Sequence, residues 1–165
     1  MDTALGTVRP LDLGFDAFGL AWSPDGERLA VTTTDGAVGL YDVAAERWIA
    51  PMTDRQPFAG WAPAFAPDGS EWTVLASGRV GRWDGRTGAF LGAVTVGSGG
   101  AVRYAADGSA LLVAQDSGPV RRWELDPASW VRTACAVAGR DLSEAEWRDH
   151  VPGRDYRPVC AAPTG

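Results

Sequence analysis

At 165 residues and 17.4 kDa the chain is long enough for one domain and too short for two of ordinary size, and its 45% hydrophobic and 22% charged residues exclude a disordered polymer. Fifteen basic residues, all of them Arg, face 21 acids, so the formal charge is −6 and a non-specific nucleic-acid binder, which needs a basic surface, is excluded. No apolar run approaches the ~18 residues of a membrane span, and Met1 to Pro10 lacks the basic and apolar regions of a signal peptide, so the expected compartment is the cytoplasm.

In chain order the first element is a solitary strand over residues 6–13. Three similar segments follow. Leu20-Ala21-Trp22-Ser23-Pro24-Asp25-Gly26 is matched by Pro63-Ala64-Phe65-Ala66-Pro67-Asp68-Gly69 and by Val102-Arg103-Tyr104-Ala105-Ala106-Asp107-Gly108, with the Asp-Gly pairs 43 and 39 residues apart. A second turn comes later in each segment, at Asp35-Gly36, Ser77-Gly78 and Ser117-Gly118. It is followed by an aromatic-acid pair, Tyr41-Asp42, Trp83-Asp84 and Trp123-Glu124, spaced 42 and 40 residues. Two independent landmarks therefore share one period. Asp-Gly is the strongest short turn signal, because Gly takes positive φ without steric cost and Asp tolerates it. The runs between turns are short and rich in Val, Leu, Trp and Thr, so each unit reads as strands A, B and C. A fourth strand, D, follows near Arg47 to Met52 and Ala89 to Val96. The third unit shows none.

These turns and aromatic-acid pairs resemble the WD-repeat β-propeller family, whose units of about 40 residues are four-stranded blades. The resemblance spans residues 18–125. It implies a mainly β fold, a partial β-propeller of about three four-stranded WD-like blades with a short C-terminal two-helix cap. Residues 1–125 would form the propeller part, with the orphan strand over 6–13 and blades over about 18–52, 61–96 and 101–125; residues 126–165 would form the helical cap and an irregular tail. Only Trp83-Asp84 spells the family's dipeptide, and no Gly-His precedes a strand A. In the family that His joins a turn Asp, a strand-B Ser or Thr and the strand-C Trp in a buried network, which cannot form here in the usual way. The aromatic repeat residues Tyr41, Trp83 and Trp123 are assigned a structural role.

After Trp123 the period changes. Asp126-Pro127 reads as an N-cap followed by Pro at the first helical position. Trp130, Val131, Ala134, Cys135 and Ala138 then share one helical face, and Gly139 stops the helix. Ser143 with Glu146 forms a capping box for a second, short helix holding Trp147. This tail, through Tyr156-Arg157-Pro158-Val159-Cys160, is similar to the C-terminal ends of large bacterial signalling proteins in which WD repeats follow a nucleoside-triphosphatase or kinase module. No phosphate loop accompanies it, since Gly97-Ser98-Gly99-Gly100 lacks the following Lys and precedes a strand.

Three blades leave an apolar face at each end of the arc, and natural propellers have about four to eight blades. Either further blades or a second copy of the chain would cover those faces, a dimer giving six. The loops of the rim hold Phe15, Asp16, Arg55, Phe58 and Trp61, residue types that dominate binding hot spots, and these are the candidate partner-binding residues. Phe18 and Trp61 also begin strand A, where an aromatic fills the core. Cys135 and Cys160 could close a loop, but a reducing compartment favours two free thiols. With His150 they lack the close ligand pairs of a zinc site, so no metal or other cofactor is expected. No carboxylate pair stands apart as an acid/base couple once the turn acids are removed, so no catalytic residue is named. The functional expectation is a non-catalytic protein-interaction or scaffold module that binds a protein partner or further blades. A purely structural propeller fragment, and an enzyme with a central-channel site, are the competing readings.

Overall fold

The computed structural model describes residues 11–14, 16–53 and 63–160, and the chain divides into two compact units, Met1–Arg122 and Trp123–Gly165. Blade 1 is a four-stranded antiparallel sheet in the order β1 (Ala17–Trp22), β2 (Arg28–Thr33), β3 (Val38–Asp42), β4 (Arg47–Thr53). Blade 2 repeats it with β5 (Ala64–Phe65), β6 (Glu71–Ala76), β7 (Arg79–Asp84) and β8 (Phe90–Thr95). Blade 3 has three strands, β9 (Ala101–Tyr104), β10 (Ala110–Ala114) and β11 (Arg121–Glu124), the last running across the division between the units. The fold is mainly β, a partial propeller of WD-like blades followed by two helices. Within the first unit β1 neighbours β5 and β5 neighbours β9, so the innermost strands stand side by side.

The turns set the blades. Gly26, Gly69 and Gly108 have φ of 75°, 70° and 72°, a region that costs a side-chain-bearing residue and costs Gly nothing. In each case the preceding Asp closes the loop on itself: Asp25 accepts from the Glu27 N–H, Asp68 from the N–H and hydroxyl of Ser70, and Asp107 from the N–H and hydroxyl of Ser109. These bonds hold all three carboxyls below their ordinary range. Asp25 is lowered to about 2, first by the Ser23 hydroxyl, then by the Glu27 N–H and the Arg28 guanidinium.

Alternation along the strands then gives each blade two apolar faces. The face toward the following blade is called trailing here, and the other leading. On blade 1 the trailing residues Ala30, Val38 and Leu40 pack with the leading residues Trp72, Val74, Ala76 and Trp83 of blade 2, and this is the main core. The leading residues Leu29, Val31 and Tyr41 of blade 1 form a second cluster with Leu13, Val43 and Trp48.

Two expectations need correction here. Residues 11–13 carry no strand, while residues 6–10 of the expected orphan strand lie outside the described residues. The cysteines are not free thiols: Cys135 and Cys160 are disulfide-bonded, with Cα atoms 5.5 Å apart. The Asp141 carboxylate accepts from the Val159 and Cys160 N–H groups at 2.7 and 2.8 Å, which pins the tail beside the end of the first helix.

The helices follow their caps. α1 (Pro127–Ala138) starts at Asp126, whose side chain accepts from the N–H groups of Ala128 and Ser129, and stops at Gly139 in the left-handed region. α2 (Glu144–His150) starts at Ser143 with a reciprocal capping box to Glu146. Arg140 makes a two-armed ion pair with Glu146 at 2.8 Å on each arm, which, with Ser143, keeps that carboxyl well below the usual range. α1 buries no residue, and Trp147 is the buried residue of α2.

Candidate interaction surface

The two internal junctions show what one blade requires of the next. Between blades 1 and 2, Trp72 stacks on Trp83 with ring centroids 4.7 Å apart, and Arg28 crosses the junction to donate to the Gly85 carbonyl at 2.7 Å. A Cβ on Gly69 would stand 3.4 Å from Pro24 Cδ, and one on Gly108 3.7 Å from Pro67 Cδ, so each turn proline leans on the glycine of the next turn. Between blades 2 and 3, the Tyr104 hydroxyl donates to Glu71 Oε1 at 3.0 Å, while Glu71 Oε2 accepts from Arg82 Nε at 3.0 Å. Burial, and then the neighbouring Glu71 charge, push the Tyr104 phenol far above its ordinary range. Glu71, Arg82 and Tyr104 had no motif to announce them, because their meeting depends on stacking two repeats whose register only the fold provides.

Equivalent positions behave differently at the ends of the array. Val38 and Val80 occupy the same trailing position in blades 1 and 2 and are 3% and 0% exposed, whereas Val120 at that position in blade 3 is 63% exposed. On the leading side, Val102 of blade 3 is 1% exposed, whereas its counterpart Leu20 in blade 1 is 53% exposed. Trp22, the counterpart of Phe65 and Tyr104, is 57% exposed. Leu20 and Trp22 pair with Val31 and Leu29, so they continue the leading face of blade 1. Contiguous apolar exposure of this kind marks interaction sites on soluble proteins.

Among the residues named from sequence, Phe15, Arg55, Phe58 and Trp61 lie outside the described residues, and Asp16 is exposed beside β1. Phe18 does not fill the core. It is 52% exposed: among the described residues no blade precedes β1, and the β1–β2 register shifts between Ala17 and Gly19. Tyr41 is buried edge-on to Trp48 at 5.0 Å, and Trp83 is buried in the stack with Trp72. Trp123 is half-buried, and its indole N–H has no partner among the described residues, consistent with the missing His of the family network.

The first blade also matches a known family. Residues 10–61 are similar to the anaphase-promoting complex subunit 4 WD40 domain. This supports a WD40-type chain, and domains of that type are protein-interaction modules that typically do no chemistry. A search of curated proteins finds no match to the chain.

A cleft of about 400 Å³ between the A–B turns of blades 2 and 3 is lined by Asp68, Ser70, Glu71, Asp107 and Ser109. Its carboxylates are engaged, Asp68 and Asp107 by their own turns and Glu71 by Arg82 and Tyr104. Among the described residues no group of His, Cys, Asp and Glu could hold a metal ion, and no helix is long and apolar enough to cross a membrane.

Proposed function

We propose that this chain is a non-catalytic WD-repeat interaction module, acting as a scaffold, that docks through the two uncovered ends of its blade array, and that the covering partner is a second copy. The observation that carries the reading is the contrast at equivalent positions: Val120 against Val38 and Val80, and Leu20 against Val102. Among the described residues no blade covers Leu20 and Trp22 on the leading face of blade 1, whose Leu29, Val31 and Tyr41 are buried beside Leu13 and Trp48, and none covers Val120 on the trailing face of blade 3. Two copies arranged head to tail satisfy both at once through the kind of contact the chain already makes internally. The ring would then hold six blades, inside the natural range. Phe15, Asp16, Arg55, Phe58 and Trp61 would serve a further protein partner. The tail's similarity to the ends of bacterial signalling proteins supports a cytoplasmic signalling role.

Trp22→Glu damages one end and Val120→Glu the other, so each variant alone should be a monomer. Mixed in equal amounts they should form a heterodimer through the one junction left intact. If either variant associates as the wild type does, or the mixture stays monomeric, head-to-tail docking is wrong.

A further inference from the structure

The C-terminal unit is held together differently from the blades. Its 43-residue span, Trp123–Gly165, is near the size at which a hydrophobic core alone stops being sufficient and a covalent staple is usual. α1 buries nothing. Its polar contacts are local: the Asp126 cap, Trp130 Nε1 to the Glu124 carbonyl at 2.6 Å, and Arg132 to Asp126 at 3.5 Å. Among the described residues no hydrogen bond or ion pair joins α1 to residues 140–160. That later segment has its own ties, from Asp141 to Val159 and Cys160, from Trp147 Nε1 to the Arg154 carbonyl at 3.0 Å, and between the rings of Trp147 and Tyr156. Between the two halves lies an apolar groove of about 290 Å³, where Val131 and Ala134 of α1 face Leu142, Trp147 and Val159, and Cys135 and Cys160 bridge it.

We propose that the Cys135–Cys160 disulfide is a redox latch that closes α1 onto α2 and the tail, so that reduction opens the groove and frees α1 while the blades stay folded. Both cysteines are partly exposed, within reach of a dithiol reductant. One thiolate of that reductant attacks one sulfur of the bridge, breaking the S–S bond and expelling the other cysteine as a thiolate that takes up a proton. The reductant's second thiol then closes its own disulfide and displaces the remaining cysteine. Two electrons and two protons pass to the cysteine pair. Released from the bridge, α1 has 12 residues and no buried side chain. An isolated helix shorter than ~12–15 residues is marginal in water, so it frays. In the cytoplasmic setting proposed above, a disulfide is a transient, redox-sensing element rather than a permanent one.

Peptide-resolved hydrogen exchange on the intact chain, air-oxidised and then treated with dithiothreitol without denaturant, tests the latch. The expected result is exchange at least tenfold faster across α1 on reduction, with β2, β3, β6 and β7 unchanged and two thiols titrated. The Cys135→Ser/Cys160→Ser double variant should show the reduced pattern without any reductant. Unchanged exchange in α1, loss of protection in the blades as well, a bridge that yields only in denaturant, or two free thiols in the oxidised protein would each overturn the proposal.

Discussion

Tyr104 on blade 3 donates its hydroxyl to Glu71 on blade 2 across 3.0 Å, and Glu71 is held in turn by Arg82 of its own blade. This polar joint is set among the apolar contacts of the second junction. Tyr104→Phe removes one hydrogen bond and leaves Glu71 paired, so it should cost about 0.5–1.5 kcal/mol in urea unfolding. Glu71→Ala strands both Arg82 and Tyr104 and should cost more. The phenol's pKa is raised in the folded chain, so its contribution is complete below the unfolded value of 10.0 and is lost as pH rises beyond it. The Tyr104→Phe variant should lose less stability than the wild type over that alkaline range.

Trp123 and Trp147 make an opposed pair. The Trp123 indole N–H is buried with no acceptor among the described residues, whereas the Trp147 N–H reaches the Arg154 carbonyl at 3.0 Å. Trp123→Phe should therefore change stability by less than about 0.5 kcal/mol or raise it, because it removes a buried donor that has no partner. Trp147→Phe should cost about 1 kcal/mol for the lost bond. Equal costs at the two sites, measured by denaturant midpoints, would contradict this.

Gly85 is fixed by space rather than by dihedral freedom. A Cβ there would stand 2.0 Å from the Gly69 carbonyl oxygen, and the same residue's carbonyl receives Arg28 from blade 1. Gly85→Ala must displace backbone, so it should cost about 1–3 kcal/mol. An Arg28→Met control, which loses the bond without the clash, should cost less.

Acid should act on the C-terminal unit through Asp141 and Glu146. Backbone N–H bonds from Cys160 and Val159 lower Asp141, and the Arg140 guanidinium followed by Ser143 lowers Glu146. A carboxyl depressed in the folded state lends stability that is complete above its unfolded pKa, here 3.8 and 4.5, and that is lost as pH falls through the folded value. Trp147 fluorescence should therefore stay constant from neutrality to about pH 5 and change only below. Arg140→Ala should shift the onset of that change upward in pH.

Repeat landmarks made the blades legible. Asp25, Asp68 and Asp107 mark turns by local chemistry alone, and Asp126 and Ser143 mark helix starts in the same way, so these elements lie where their residues imply. What the residues could not show depends on neighbours. Phe18 looks like a core aromatic until it is known that its blade comes first among those described. Val120 looks like Val38 and Val80 until it is known that its blade comes last among those described. The disulfide was hidden because 25 residues separate Cys135 from Cys160, and the Asp141 carboxylate that holds Val159 and Cys160 acts through contacts made in the fold.

The most direct measurement is sedimentation equilibrium of the wild-type chain at micromolar concentration. The account predicts a species of twice the 17.4 kDa chain mass, with Trp22→Glu reduced to the single mass and an unchanged β spectrum. A wild-type chain that sediments as a stable, folded monomer throughout that range would contradict it.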